Sequence, residues 1–305
     1  MDPRATSDPT HPVLRLRFDE EARRRSREVW AHLEVIQTLP YFSRDVAQAC
    51  REAGLANRMQ SYCAMRAAPL GAASSELVTA TFYGFAPRLV AAAVPTVWEV
   101  IRPEQALELT HRAVGSVLHE LLSGLDVGLS RATELARQAA LLHPTIGRPL
   151  GAAWASVPWD DDPIVGLWQA ATRIRESRGD GHVALLVAHG LDGIESHLTL
   201  AGDSPKLRER MGPLRGWTDP EWDAGAERLL ARGLLAEDGS LTGAGAALRR
   251  HLEDATDDLA AEPWQTLGAD ATDHLMGALR PMVERIAVAE ILPSIVIRRA
   301  LSPHH

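Results

Sequence analysis

Residues 216–259 read GWTDPEWDAGAERLLARGLLAEDGSLTGAGAALRRHLEDATDDL, and the order of signals in this stretch decides the fold. TDPEWDAGAERLLARG reads as a helix, stopped sharply at Gly233, because glycine takes a left-handed backbone without steric cost. A short strand, an Asp238-Gly239 turn and a second short strand come next, the Asp-Gly pair being a strong hairpin signal. A long helix closes the segment. Helix, tight hairpin and helix is the plan of a winged helix.

A winged helix that reads DNA presents donors to base edges and positive charge to phosphates. Here the would-be recognition helix carries Asp219, Glu221, Asp223 and Glu227 against Arg228 and Arg232, and the wing AEDGSL brings Glu237 and Asp238. From Trp217 to Ala260 there are ten acidic residues and four arginines. Like charge facing phosphate costs affinity, and little counterion release remains to drive binding. The expectation is a winged helix that packs or dimerises, as in a homodimer, with no nucleic acid as partner. The competing expectation places DNA on another face, through RRRSR at 23–27.

The whole chain points the same way. Its 305 residues favour two domains, and 46% hydrophobic residues give ample core. A formal charge of −8, from 40 acidic and 32 basic residues, repels phosphate backbones on average. Cys50 and Cys63 make neither a disulfide framework nor a metal-ligand spacing, which fits a reducing compartment. The N-terminus has no apolar run of the signal-peptide kind. The late apolar run IAVAEILPSIVI at 286–297 contains Glu290 and Pro293 and falls well short of the roughly 20 residues a bilayer span needs. A soluble, cytoplasmic protein without a membrane partner is expected.

Ahead of the winged helix nearly everything is helical, so the fold class is mainly α: a helical N-terminal domain, then the winged helix with its small β-hairpin. Residues 1–18 read as a flexible arm, 19–205 as the helical domain, 206–285 as the winged helix and 286–305 as a C-terminal tail. In EEARRRSREVWAHLEVIQTL the residues Val29, Trp30, Leu33 and Ile36 recur at helical spacing, with the basic run on a solvated face. SRDVAQACREAGL is a short helix capped by Ser43 and ended by Gly54. EQALELTHRAVGSVLHELLSGL, 104–125, is the clearest helix. Its His119-Glu120 pair resembles the start of a zinc-protease HExxH, but Ser123 stands where the second ligand would be. The proline-broken stretch 143–163 reads as a long connection, after which Asp162 or Asp161 caps a helix with Pro163 in its first turn.

Two stretches carry candidate chemistry. YCAMRAAPLGAASSELVTATFYGFAPRLV, 62–90, holds four of the chain's seven Phe and Tyr residues together with Arg66, the ingredients of a pocket wall. In RESRGDGH, 175–182, Gly179 reads as the left-handed end of one helix and Asp180 as the cap of the next, which places His182 in a first turn. There an imidazole is biased to its neutral form and an anion finds unpaired N–H groups. Neutral imidazole suits a general base or a metal ligand, and Arg178 suits a carboxylate or phosphate clamp. In an unbroken helix His189 and His197 would stand too far from His182 for all three to share one ion.

RLLARGLLAEDGSLTGAGAALRRHLE, 228–253, resembles the recognition helix, wing and following helix of MarR-type regulators. With RAAPLG, TATFYGF, GRPLGAAW and RGDGH, the chain from about residue 20 to 285 also resembles an actinobacterial helix-turn-helix family that includes SalK-like proteins encoded near specialised-metabolite clusters. That resemblance implies a helical domain followed by a winged helix in a soluble actinobacterial protein, and it carries no reaction. The leading expectation is a small-ligand- or cofactor-binding protein of specialised metabolism, with an unknown cofactor. Arg66 and Arg178 would take an anionic group, Tyr62, Tyr83 and Phe85 the walls, His182 with Asp180 any acid/base chemistry, and His182 alone any metal or haem. The alternatives are a ligand-responsive DNA-binding regulator and a biosynthetic enzyme using His182.

Overall fold

The computed structural model describes residues 16–125 and 128–302. Most of the expected N-terminal arm, residues 1–15, lies outside them. Leu16 to Phe18 lead into α1, Glu20–Thr38, whose first turn is capped by the Asp19 carboxylate accepting from Ala22 N at 2.8 Å. α2, Arg44–Glu52, is capped by Ser43 and ends before Gly54, which has φ 92°. α3 is Arg58–Ala67 and α4 is Ser75–Phe82; two short helices, α5 at Pro87–Ala91 and α6 at Thr96–Val100, lead to α7, Pro103–Leu121. α8 is Leu129–Leu142.

The proline-rich stretch read as a connection contains a further helix, α9, Pro149–Ser156, because Pro149 sits in a first turn where its missing N–H costs nothing. α9 lies hard against α10, Pro163–Ala188, so closely that a Cβ on Gly151 would come within 2.8 Å of Ser177 Cα. Asp162 caps α10 by accepting from Ile164 N at 2.9 Å. This 26-residue helix is buried around most of its first five turns, as a helix through the middle of a core must be.

α10 does not break at RGDGH, which corrects the two-helix corner expected there. Gly179 keeps helical dihedrals, and the left-handed stop falls at Gly190, φ 61°. Asp180 does cap a helix, but a different one: its carboxylate accepts from Gly151 N, in the first turn of α9, at 2.8 Å. A cap reached across two packed helices leaves no local pattern in sequence.

After Gly190 the chain turns into α11, Gly193–Ala201, where Asp192 and Glu195 form a reciprocal capping box. α12 is Pro205–Arg215 and α13 is Asp219–Ala231, capped by Thr218 and Glu221 in the same reciprocal way. The chain then crosses Gly233 to α14, Gly243–Leu259. The expected β-hairpin is absent: no strand forms among the described residues, and the wing shrinks to one antiparallel bridge between Leu235 and Leu241. Ala236 N donates to Ser240 O at 2.8 Å and Thr242 N to Leu234 O at 3.1 Å on either side of that bridge, and Thr242 then caps α14, so the pairing stops there. α15, Glu262–Leu267, α16, Ala269–Val288, and α17, Ser294–Leu301, finish the chain.

Two apolar clusters result. One joins α1–α9, the first part of α10 up to Ile174, and α15–α17. The other joins the end of α10, at Leu185 and Leu186, with α11–α14. α10 therefore runs through both, and a cavity lies at their boundary. Cys50 and Cys63 are free and buried, and no helix among the described residues is long and apolar enough to cross a membrane.

Candidate functional site

The boundary cavity has a volume of about 290 Å³ and takes walls from α1, α3, α4, α10, α11, α12 and α14. Tyr62, Arg66, Tyr83, Arg178 and His182 all line it, although 120 positions separate the first from the last. Phe85 lies one ring behind: its centroid is 5.4 Å from that of Tyr62, and it forms the platform under the Arg215 guanidinium at 4.3 Å. Asp180 is not part of the cavity. Two residues along a helix from Arg178 it points the other way, toward α9.

Five arginines line the cavity, Arg66, Arg175, Arg178, Arg215 and Arg249, against one carboxylate, Glu34, which is bridged to Arg299 at 2.8 Å. The pairing behind them is uneven. Arg66 grips Glu176 with two bonds of 2.9 and 2.8 Å, and Arg175 bonds the same carboxylate at 2.8 Å. Burial works to raise the Glu176 carboxyl, but Arg175 and Arg66 outweigh it and hold it at about 2. Arg178 reaches Asp257 at 2.7 Å, and Arg249 pairs with Glu253. Both arginines assigned to an anion from sequence thus already hold internal carboxylates.

Arg215, which the sequence reading missed, is the one of these five arginines with no carboxylate. It forms no ion pair among the described residues, its Nε is buried without a partner, and burial, with the charges of Arg66 and Arg175, lowers its pKa against the opposing effect of Tyr62. Its signal in sequence was only a C-terminal helix residue before Gly216. It enters the cavity because α12 ends there, with Arg215 O accepting from Ala86 N at 2.8 Å.

His182 sits at the opposite end, beside Glu253, Arg178 and Arg249. Thr256 Oγ1 gives its proton to Leu252 O at 2.6 Å, so at 2.9 Å it accepts from His182 Nδ1–H. The lone pair is therefore on Nε2. Burial lowers the imidazole to about 4, so it is neutral at pH 7. Neutrality here comes from burial in mid-helix and not from a helix N-terminus. His197 joins the same cavity, because the turn at Gly190 folds α11 back beside α10, but its Nε2 donates to Gly84 O at 2.9 Å. Among the described residues no group of three His, Cys, Asp or Glu side chains is placed to hold a metal ion.

The α11–α14 segment, where the helix-turn-helix element with α13 as its recognition helix is expected, is arranged quite differently. Arg228 of α13 is held by Glu195 at 2.9 Å and by Asp192, and Arg232 donates to the α10-terminal carbonyls of Gly190 and His189, both at 2.9 Å. Asp219, Asp223 and Glu227 form an exposed acidic stripe at i, i+4 and i+8. Arg25 and Arg27 of the RRRSR run are paired too, with Asp273 at 2.7 Å and Asp257 at 2.5 Å, so the basic face expected to be solvated is largely neutralised.

The helical body, the α11–α14 segment and the cavity between them define a helical protein with an arginine-rich pocket at its junction. A helix-turn-helix family model matches residues 26–293, and the chain belongs to that family. No curated protein and no solved structure matches it.

Proposed function

We propose that the protein binds a small organic anion in the junction cavity, and that its helix-turn-helix element serves as a wall of that cavity and not as a reader of DNA. The observation that carries this reading is the surplus of guanidinium groups around the cavity, with Arg215 half-buried, stacked on Phe85 and paired with no carboxylate among the described residues. A half-buried guanidinium with no carboxylate beside it and an unpaired Nε is costly, and an anion is the partner that removes the cost. The cavity is at the small end of the roughly 300–1,000 Å³ typical of small-molecule sites. Membership in the SalK-like branch, a role in specialised metabolism and a homodimeric state belong to the same proposal.

The test is a thermal-shift screen of organic acids beside their neutral methyl esters. Acids raise the Tm of the wild type and their esters do not, and Arg215→Met abolishes the response. Esters stabilising as well as acids would sink the reading. The regulator reading is favoured by family membership alone, and both α13 arginines are engaged internally. Mobility shift against randomised duplexes at physiological salt distinguishes the two: retention of a selected sequence supports the regulator.

A further inference from the structure

We infer that the cavity takes a hydroxylated organic acid, its carboxylate at Arg215 and its hydroxyl donating to His182 Nε2. This rests on the anion-binding reading above and adds the orientation and a second functional group to it.

The two ends of the cavity differ in charge. At the α3 and α12 end, Arg66 and Arg175 share the single carboxylate of Glu176 while Arg215 has none. Positive charge is in surplus there. At the α14 end, Arg178 and Arg249 face Glu253 and Asp257, so charge is nearly balanced. An anionic head therefore gains most beside Arg215, and its tail extends toward His182.

The tail end asks for a donor. Guanidinium groups offer only N–H, and His197 spends its Nε2–H on Gly84 O. His182 Nε2 is different, since the Thr256 contact fixes the proton on Nδ1 and leaves a lone pair on a residue that lines the cavity. A ligand group without a proton leaves that acceptor unpaired when water is displaced, and an O–H or N–H satisfies it. Aromatic walls, Tyr62 and Phe82, suit a flat spacer between the two groups.

The experiment measures affinity for matched pairs: 4-hydroxybenzoate with benzoate and 4-hydroxycinnamate with cinnamate, titrated into wild type, His182→Phe and Arg215→Met. The expected result is that at least one hydroxylated acid binds tenfold or more tightly than its partner, that His182→Phe erases this preference while retaining acid binding, and that Arg215→Met loses both members of the pair. Acids binding without a hydroxyl preference, or a preference that survives His182→Phe, would overturn the orientation while leaving the anion reading intact. Failure of every acid to bind wild type would overturn both. Circular dichroism of the variants confirms that the fold is retained, and His182→Gln, which restores a side-chain acceptor, recovers part of the preference.

Discussion

Buried titratable residues give the protein its pH behaviour. Burial holds His143 at about 3 and His182 and His197 at about 4, well below an unfolded imidazole near 6.5. Between those values the unfolded chain binds more protons than the folded one, so stability is full above about 6.5 and drains as pH falls toward 4. The slope is about 1.4 kcal/mol per pH unit for each such histidine. His143 has no hydrogen-bond partner on either ring nitrogen. His143→Leu is therefore expected to shrink the fall in urea midpoint between pH 7 and pH 5, and a wild-type midpoint that stays flat over that range would contradict this. Asp180 has the opposite sign. Burial outweighs the bond from Gly151 N and raises it to about 6, so its ionisation costs stability as pH rises from about 3.9 toward 6. Asp180→Asn keeps an acceptor for Gly151 N. It should leave Tm at pH 7.5 equal or higher and acid binding unchanged, and loss of acid binding would place Asp180 in the site after all.

At the scale of elements, the segment after α4 joins the helical body to the helix-turn-helix. Tyr83 is held at φ 49°, a region costly for a residue with a Cβ, and its hydroxyl donates to Leu191 O in the turn before α11. Gly84 O accepts from both His197 and Trp217 Nε1, and Arg88 bridges to Glu221 of α13 at 2.6 Å. A Cβ on Gly84 would come within 3.0 Å of the His197 ring. Tyr83→Phe should lower stability by about 1 kcal/mol and speed amide exchange in α11 more than in α7; equal changes in both helices would argue against a joint. Much of this was legible. The Gly233 stop and Ser43 with Gly54 are local signals, and local hydrogen bonds made them good. The RGDGH corner was misread because Asp180 satisfies a helix terminus distant in sequence, and the Asp192–Glu195 capping box beside Gly190 was the better stop signal. The wing is shorter than the Asp238-Gly239 signal suggests, because Thr242 leaves the pairing at once to cap α14.

For the whole molecule, the question is where the charge points. Counted along the chain, acidic residues outnumber basic ones, yet around the junction cavity the order reverses, because folding turns arginines inward and leaves Asp219, Asp223 and Glu227 outside. From residue type the sequence sets a pocket between the Tyr62–Phe85 region and the Arg178–His182 segment, and Tyr62, Arg66, Tyr83, Arg178 and His182 line one cavity. Sequence could not show which arginine lacks a carboxylate, since that depends on Glu176 and Asp257 arriving from other turns and helices. The most direct measurement is isothermal titration of the acid that raises Tm most, and of its methyl ester, into wild type and Arg215→Met. Saturable one-to-one binding of the acid alone, lost in Arg215→Met, is the predicted result. Equal affinity of Arg215→Met and wild type for that acid would contradict an anion site at the junction.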